Sequence, residues 1–589
     1  MTAPVSPADA AGTGPWTARW LALAGAVSMF LVQPPADLWM LAWVAPFPWL
    51  WLVRSRGAIP WGTLFVAGWL HWMLTLHWLR LPHPATSLGW IALSAYLGCS
   101  LPLFVAAARR MTGAWGWGLV VAAPVAWVGL EQARGWILGG FTLGALGHTQ
   151  WRVLPLLQVA DLFGACGVGG LVMAVAAALA TALPAPPGCG SAPRHPAGTL
   201  GVLSGAGALL GLALAYGGWR LATEPAAIGA ARSCLDVLLV QGSIDTELKH
   251  DPEAAGEVLE HYDGLTRAGL AEDHRLPDLI VWPETMWRYG LVDIDPAERL
   301  PDAVVDRVLG PATEPPSAAL DQRRQRECRE AIETERRAAL ASYARRYGTT
   351  WLVGVDRQEV DPRLPAGARY FNTAVCLDGT GRIRARYDKM HPVMFGEYVP
   401  LADRIPWLQR LTPLPAGLTA GREPVAVDLE GCRIAPTICY ETTLPEAIRA
   451  IVNRLAAAGV RPDVLVNLTN DGWFWGSSEL DMHLTSAVFR AVEVRTPLVV
   501  AANTGFSAVI DGAGRIRARG PRRATATLRA VVATDGRESP WSTWGSVPTG
   551  VTVAILAVAL TGCFREWLRR DPAAAREAGT AGPGPLQTR

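Results

Sequence analysis

Charge is scarce in this sequence, and its two signs nearly cancel. Only 18% of residues are Asp, Glu, Lys or Arg and the formal net charge is +2, where soluble domains average about 25% charged. A near-neutral chain has no electrostatic footprint for nucleic acid or for a strongly acidic partner. Nine cysteines in 589 residues form no regularly spaced disulfide framework and match no metal-ligand spacing. Glycines at Gly167–Gly170 lack the strand-and-helix context of a phosphate loop and read as span-packing residues. The first apolar run does not read as a cleaved signal peptide, because its basic flank is thin and further runs follow closely.

What is abundant is apolar length. A bilayer core about 30 Å thick needs roughly 20 apolar residues as helix. Seven segments qualify before residue 220: about 17–33, 36–53, 59–80, 87–108, 115–133, 160–183 and 199–217. An eighth, about 546–564, follows a long polar stretch. Prolines and glycines inside several of them are tolerated in membrane helices. Trp16, Trp20, Trp39, Trp43, Trp49, Trp51, Trp78, Trp115 and Trp117 gather near segment ends, as an aromatic belt requires. Short loops carry Arg54 and Arg56, Arg109 and Arg110, and Arg194 on one side, with Arg565, Arg569 and Arg570 after the last segment. The positive-inside rule makes that side cytoplasmic and places the polar region outside.

The expected layout is a tail (1–16), a membrane domain of about seven helices (17–220), a soluble domain outside the cytoplasm (231–539), a final span (546–564) and a cytoplasmic tail (565–589). Cys99, Cys166 and Cys563 fall in spans and Cys189 in an inner loop; Cys234, Cys328, Cys376, Cys432 and Cys439 fall in the polar region. There, short β-rich runs (Leu235–Gln241, Asp278–Trp282, Thr350–Val355, Ala374–Leu377, Ile383–Tyr387, Val425–Leu429, Ile434–Cys439, Val464–Leu468, Leu498–Ala502) alternate with helical stretches (Ser317–Tyr347, Leu444–Ala458, Asp481–Glu493). Such alternation predicts an α/β or layered α-β-β-α domain. The charged stretch 311–338 reads as a solvated helix.

Three chemistry-bearing residues directly follow strand-like runs: Glu284 in VWPETMW, Lys389 in RYDKMHPVMFGEYVP and Cys439 in PTICYET. Each has an ordinary reading alone: a helix-start or surface carboxylate, a solvated loop lysine, a packed thiol. Together, at strand ends of one domain, they can converge on one mouth of a sheet. Glu284 would then take the thiol proton and return it to a leaving group. Lys389 and a backbone N–H after Cys439 would stabilise the oxyanion of a tetrahedral intermediate. Glu397 would orient the lysine or assist the base. The result is an acyl-transfer centre running through a thioester, with neither metal nor organic cofactor required.

The Glu–Lys–Cys order resembles the nitrilase (carbon–nitrogen hydrolase) superfamily. YDKMHPVMFGEYVP is more specifically similar to the lysine motif of the apolipoprotein N-acyltransferase family, TICYE to its nucleophile motif and TNDGWF (469–474) to the segment that follows. RAVEVRTPLVVAANTGFSAVID resembles its closing sheet region; LEQARGWILGGFTLGALGHTQ and PLLQVADLFGACGVGGLV resemble its fifth-to-sixth-span region. The likeness runs over roughly residues 15–565. It implies an integral membrane helical bundle of about eight spans carrying a nitrilase-like α-β-β-α sandwich, in the bacterial inner membrane with the sandwich on the periplasmic side. It further implies acyl transfer from a phospholipid, usually from its sn-1 position, through the cysteine thioester. The acceptor is the N-terminal amine of a diacylglyceryl-cysteine apolipoprotein. Carried over residue by residue, Glu284, Lys389 and Cys439 are catalytic, and Glu397, Tyr440 and Glu441 support them. The implied partners are phospholipid, diacylated apolipoprotein and membrane lipid, with no nucleic acid and the chain a monomer.

Departures bear on lipid positioning and acceptor choice. His250 stands where the family usually has tryptophan, HPVMFGE replaces HLVPFGE, FTL (Phe141-Thr142-Leu143) replaces FPW, and Trp475 is an additional aromatic. Trp473, Phe474 and Trp475 are expected to form an amphipathic lid or lipid gate. Arg134 is expected either to pair with Glu131 or to meet a lipid phosphate. His71 and His77, in or near the third span, read as neutral histidines bonded to neighbouring helices, and His483 as structural. Two other functions compete: a membrane-tethered amidase using water as acceptor, which has no use for a lipid entrance, and an inactive lipid- or lipoprotein-binding pseudoenzyme, against which the intact trio speaks.

Overall fold

The computed structural model describes residues 14–55, 57–184, 196–225, 233–245, 247–248, 251, 253–295, 299–312, 317–360, 367–400, 404–405, 407–408 and 417–569. His250, Cys189, Arg194 and most of both terminal tails lie outside the described residues.

The apolar half folds as packed helices. Its core is rich in small side chains, among them Ala22, Ala26, Ala67, Ala107, Ala122, Ala126 and Ala176, which let helix backbones approach where lipid offers no hydrophobic contrast. Among the described residues, four helices are long and apolar enough to cross a membrane: Thr86–Gly113, Ala160–Ala182, Gly198–Ala222 and Val547–Arg569. Pro15–Leu31 and Trp61–Thr75 are shorter, and Leu119–Trp136 spans 18 residues. The segment expected as one span over 36–53 is broken. It forms a 3-10 turn (Trp39–Trp43) and an eight-residue helix (Phe47–Arg54). Pro46 and Pro48 sit at the start of that helix, where proline is tolerated, and cannot continue the preceding turn. At 1.5 Å per residue such a helix reaches only about 12 Å. The C-terminal helix returns to the bundle, where Gly129 leaves room for the Thr552 backbone and Thr549 donates a 2.7 Å hydrogen bond to Gln132.

The polar half is a two-sheet sandwich. Its strands are β1 (Ser233–Gln241), β2 (Leu279–Val281), β3 (Trp287–Ile294), β4 (Thr350–Val360), β5 (Ala368–Leu377), β6 (Ile383–Asp388), β7 (Val427–Leu429), β8 (Cys432–Ile438), β9 (Val464–Thr469), β10 (Leu498–Ala502), β11 (Ala508–Ile510), β12 (Ile516–Arg519) and β13 (Ala526–Ala533). One sheet runs β13-β1-β2-β4-β5-β6 with β3 beside β4, and the other runs β12-β11-β10-β9-β8-β7. Val237, Val281, Leu352 and Ala374 from the first meet Ile434, Ile438, Val466 and Val499 from the second. Helices Ala255–Ala271 and Ala318–Tyr347 cover the first sheet. Helices Pro445–Ala457 and Glu479–Val494 cover the second. Because β2, β4, β8, β9 and β10 are covered on both faces, they read as continuous apolar runs.

Contrary to the reading of the cysteines, Cys234 on β1 and Cys432 on β8 form a disulfide across the two sheets. The partners are 198 residues apart, so only sheet stacking brings them together. Spacing along the chain carries no trace of it.

The second helical layer rests on the membrane region. Leu157, Ala160, Ala165 and Val168 share a core with Val488, Val492 and Trp541. The membrane-region helix Ala160–Ala182 kinks at Gly164 (φ 66°), where the Glu493 carboxylate accepts from the Ala165 N–H at 2.9 Å. Asp161 on that helix pairs with Arg495 of the sandwich and, at 2.7 Å, with Arg220 of the following helix (Pro196–Ala222). The buried Asp161–Arg495 pair joins the two halves.

Candidate active site

Glu284 lies three residues beyond β2, on a turn fixed by Thr285 in the left-handed region (φ 54°). Gly354 of β4 makes the turn possible, because a Cβ there would lie 2.4 Å from the Thr285 nitrogen. Lys389 follows β6 directly, and its N–H bonds to the Asn372 carbonyl at 2.8 Å. Its side chain is 1% exposed and its ammonium donates to Glu397 Oε1 at 2.7 Å and to Glu284 Oε1 at 3.4 Å. Glu397 Oε2 in turn accepts from the Val393 N–H at 2.7 Å. Two of the strand-end residues, Glu284 and Lys389, therefore meet, with Glu397 as the closer partner of the lysine, and Cys439 lies within electrostatic reach of all three.

Cys439 opens a 3-10 turn (Cys439–Thr443) immediately after β8, and its φ is 49°. A non-glycine residue held there stores backbone strain of order 1–3 kcal/mol, tolerated only when surrounding contacts enforce it. Glu441 supplies that enforcement. Fully buried, it accepts from the N–H groups of Ile438 (2.7 Å), Met390 (2.8 Å) and His391 (3.1 Å) and from the Tyr387 hydroxyl (2.8 Å). One carboxylate thus ties the nucleophile turn to the loop that presents Lys389. Tyr440 donates its hydroxyl to the Gly140 carbonyl of the membrane region at 2.6 Å.

The electrostatics give the groups distinct tasks. Burial pushes the Cys439 thiol well above its usual range; the Glu284, Asp471 and Glu397 carboxylates add to this and Lys389 opposes it. The resting sulfur is a neutral thiol that needs a base. Burial works against the Lys389 charge, but Glu397 and then Glu284 outweigh it and hold the amine protonated. Burial raises Glu397, with Lys389 opposing. Glu284 receives donors on both oxygens, from Asn372 Nδ2 (2.6 Å) and the Asn470 N–H (3.0 Å), which aims its carboxylate.

Three residues at the centre escaped the sequence reading. Asn372 and Asn470 orient Glu284; the available signal was polar Asn and Thr inside otherwise apolar runs. His483, read as structural, reaches the nucleophile itself. Its Nδ1 lies 3.0 Å from Asp471 Oδ1, and its Nε2 lies 2.8 Å from Thr442 Oγ1 and 3.2 Å from the Cys439 carbonyl. Burial opposes its charge, yet Asp471 and Glu479 outweigh that and raise it to about 9. Asp471, Glu479 and His483 are close enough to surround a cation. Both ring nitrogens lie within hydrogen-bond reach of acceptors, Asp471 on one side and the Cys439 carbonyl and Thr442 hydroxyl on the other.

The aromatic arm divides. Trp475 is 45% exposed with φ 52°, and Trp473 is partly buried. Phe474 packs edge-on against Trp78 of the membrane region, centroids 5.0 Å apart. Arg134 is buried over the Trp72 ring (4.9 Å), 3.7 Å from Glu131, with its Nε and Nη2 otherwise unpartnered. It lines a cavity of about 140 Å³ between the two halves, with His148, Cys166, His391 and Glu493. Cys439 does not line that cavity; His391, two residues past Lys389, does.

A family profile described as "Apolipoprotein N-acyltransferase N-terminal domain" matches residues 25–178, and one described as "Carbon-nitrogen hydrolase" matches residues 258–538. An apolipoprotein N-acyltransferase of Geobacter metallireducens is 32% identical over 566 residues, covering 92% of this chain and 95% of the relative. One of Rhodopirellula baltica is 30% identical over 587 residues, covering 94% and 98%. Among solved structures, a nitrilase-superfamily amidase from Nesterenkonia aligns with 53% of this chain and 94% of its own, at 19% identity and a TM-score of 0.32.

Proposed function

The chain belongs to the apolipoprotein N-acyltransferase family, and from that membership we propose how its residues carry out the reaction. It is a membrane acyltransferase of lipoprotein N-acylation, for which the family implies phospholipid and lipoprotein substrates. In our reading Glu284 takes the Cys439 proton as sulfur attacks the carbonyl of a phospholipid acyl ester, at sn-1. The oxyanion forms against the Lys389 ammonium and the Tyr440 N–H. The C–O bond breaks and Glu284 returns the proton to the leaving glyceryl oxygen, releasing lysophospholipid and leaving a thioester. The free α-amine of a diacylglyceryl-cysteine then attacks the thioester. Glu284 accepts the amine proton, the C–S bond breaks, sulfur recovers a proton and an amide remains.

The observation that carries this reading is the buried Lys389 bridging Glu397 (2.7 Å) and Glu284 (3.4 Å) beside a strained Cys439. A neutral thiol next to an oriented carboxylate and a fixed cation suits acyl transfer better than lipid binding alone. We further assign Arg134 to a lipid phosphate at the cavity between the halves, and Trp473, Phe474 and Trp475 to the lipid entrance. His250, which lies outside the described residues, we assign to acceptor choice on its place in the sequence. The sandwich is proposed to face the oxidising, periplasmic side of the inner membrane, a reading that the Cys234–Cys432 bond supports. A monomer suffices, since all of these groups come from one chain.

Purified protein incubated with a phospholipid bearing a labelled acyl chain should acquire label on Cys439, releasable by neutral hydroxylamine. Label persisting at a thioester-like linkage in Cys439→Ser refutes the assignment. Restoration of lipoprotein triacylation in a strain depleted of its own enzyme, read by mass spectrometry of a lipoprotein N-terminus, tests the acceptor.

A further inference from the structure

The Cys439 carbonyl is held by three side chains. The Thr442 hydroxyl donates to it at 3.0 Å, His483 Nε2 lies 3.2 Å away and Asn467 Nδ2 lies 3.4 Å away. Since the Thr442 hydroxyl gives its proton to that carbonyl, its oxygen accepts from His483 Nε2 at 2.8 Å. His483 Nδ1 is fixed by Asp471, whose Oδ1 also accepts from Thr469 Oγ1 at 2.8 Å. All four groups, His483, Asp471, Thr442 and Asn467, are buried. A histidine that merely fills space needs one satisfied nitrogen. This one has both committed, and one of them touches the peptide of the residue that reacts.

Across a planar trans peptide the carbonyl oxygen and the next N–H point in opposite directions. Anchoring the Cys439 oxygen on the His483 side therefore turns the Tyr440 N–H the other way. Tyr440 is the second residue of the 3-10 turn, where the N–H has no partner within the turn, and among the described residues it meets no other backbone acceptor. We propose that His483 is a positioning residue for acyl transfer: by gripping the Cys439 carbonyl from its Asp471 anchor, it keeps the Tyr440 N–H aimed at the oxyanion of the tetrahedral intermediate. This rests on the reading of Cys439 as the acylated residue.

The test measures the rate at which full-length protein in detergent micelles forms acyl-Cys439 in a single turnover with an alkyne-tagged phospholipid, alongside thermal unfolding. His483→Leu is expected to slow acylation about 10- to 100-fold, below the loss from deleting an oxyanion donor outright, with the half-saturating lipid concentration unchanged. His483→Gln, whose amide nitrogen can stand in for Nε2, should recover at least about tenfold of that loss, as donor chemistry requires. A folded His483→Leu protein that acylates at the wild-type rate overturns the proposal, as do equal losses for Leu and Gln. Should His483→Leu not fold, Thr442→Val removes the shared hydroxyl, and a wild-type rate there is equally fatal. Label on a residue other than Cys439 in the wild-type protein sinks the underlying reading and this proposal with it. Label on Cys439 that is indifferent to these variants sinks this proposal alone.

Discussion

Replacing Glu441 with glutamine changes one atom type and should cost far more than its size implies. The carboxylate receives three backbone N–H groups and the Tyr387 hydroxyl at 2.7–3.1 Å, in a site with no exposure. Glutamine can turn its oxygen toward Met390, His391 and Tyr387, but its NH2 then faces the Ile438 N–H, donor against donor. The loss comprises one charge-assisted hydrogen bond, about 1.5–3 kcal/mol, and one buried unsatisfied N–H, about 1–3 kcal/mol. A total of roughly 3–5 kcal/mol is a large share of the 5–15 kcal/mol that holds a typical domain. Because the bond lost is the one before Cys439, acylation should slow as well, the thiol drifting from Lys389. Thermal unfolding in detergent and the single-turnover acylation rate measure both effects, with Glu441→Asp as the charged control. A glutamine variant within about 0.5 kcal/mol of wild type, a shift typical of a neutral surface change, would refute the clamp.

Lys389→Met should cut turnover by about 10²- to 10³-fold for a lost oxyanion partner, and destabilise the sandwich by about 3–5 kcal/mol as Glu284 and Glu397 lose their shared cation; retained turnover removes the lysine from the mechanism. Reducing the Cys234–Cys432 bond, or replacing both partners with serine, frees a loop of 198 residues, for which chain entropy sets an upper cost of roughly 5 kcal/mol. Unfolding with and without reductant measures it, and an unchanged midpoint in protein whose bond is verified by mass spectrometry contradicts the staple. His483 is raised from 6.5 to about 9, chiefly by Asp471 and then Glu479 against the burial that opposes its charge. Its contribution is therefore complete below pH 6.5 and lost as pH rises through 9, roughly 3 kcal/mol at 1.36 kcal/mol per unit. Unfolding midpoints from pH 6 to 9.5 should fall more steeply in wild type than in His483→Gln; parallel slopes exclude this linkage.

The sandwich was legible wherever strands are covered on both faces. Nine of its strands overlap β-rich runs read from the sequence, and the helices expected at Ser317, Leu444 and Asp481 begin within two residues of those positions. The strands passed over are short, exposed or irregular; β11 is buried but only three residues long. β13 is mostly half-exposed, β12 alternates Ile and Ala with Arg, and β3 is interrupted at Gly290 (φ 63°), where its register on β4 shifts. Apolar length also hid the break near Pro46, because hydropathy does not register whether a helix continues. At the centre, the trio was visible because each member follows a strand. The residues that hold the trio in place were not, because Asn372, Asn470 and His483 act through contacts made across the fold.

The departures from the family pattern at Phe141-Thr142-Leu143 gain a physical meaning from what they touch. Thr142 donates its hydroxyl to the Thr443 carbonyl, the last residue of the nucleophile turn. Gly140, two positions earlier, accepts from Tyr440, and its φ of 87° with the Gly135 carbonyl 2.6 Å from where a Cβ would lie makes glycine obligatory there. Leu143 is buried with Trp72, Leu76, Trp78 and Met482, the cluster onto which Phe474 packs. A single membrane-region loop therefore touches the turn bearing Cys439 on one side and the foot of the aromatic arm on the other. A water-using hydrolase gains nothing from binding its nucleophile turn to such a loop. An enzyme whose donor and acceptor both arrive as lipids needs the thiol held at a fixed depth relative to the bilayer, and these contacts supply that reference. Thr142, where the family pattern has proline, brings a hydroxyl that reaches the turn directly.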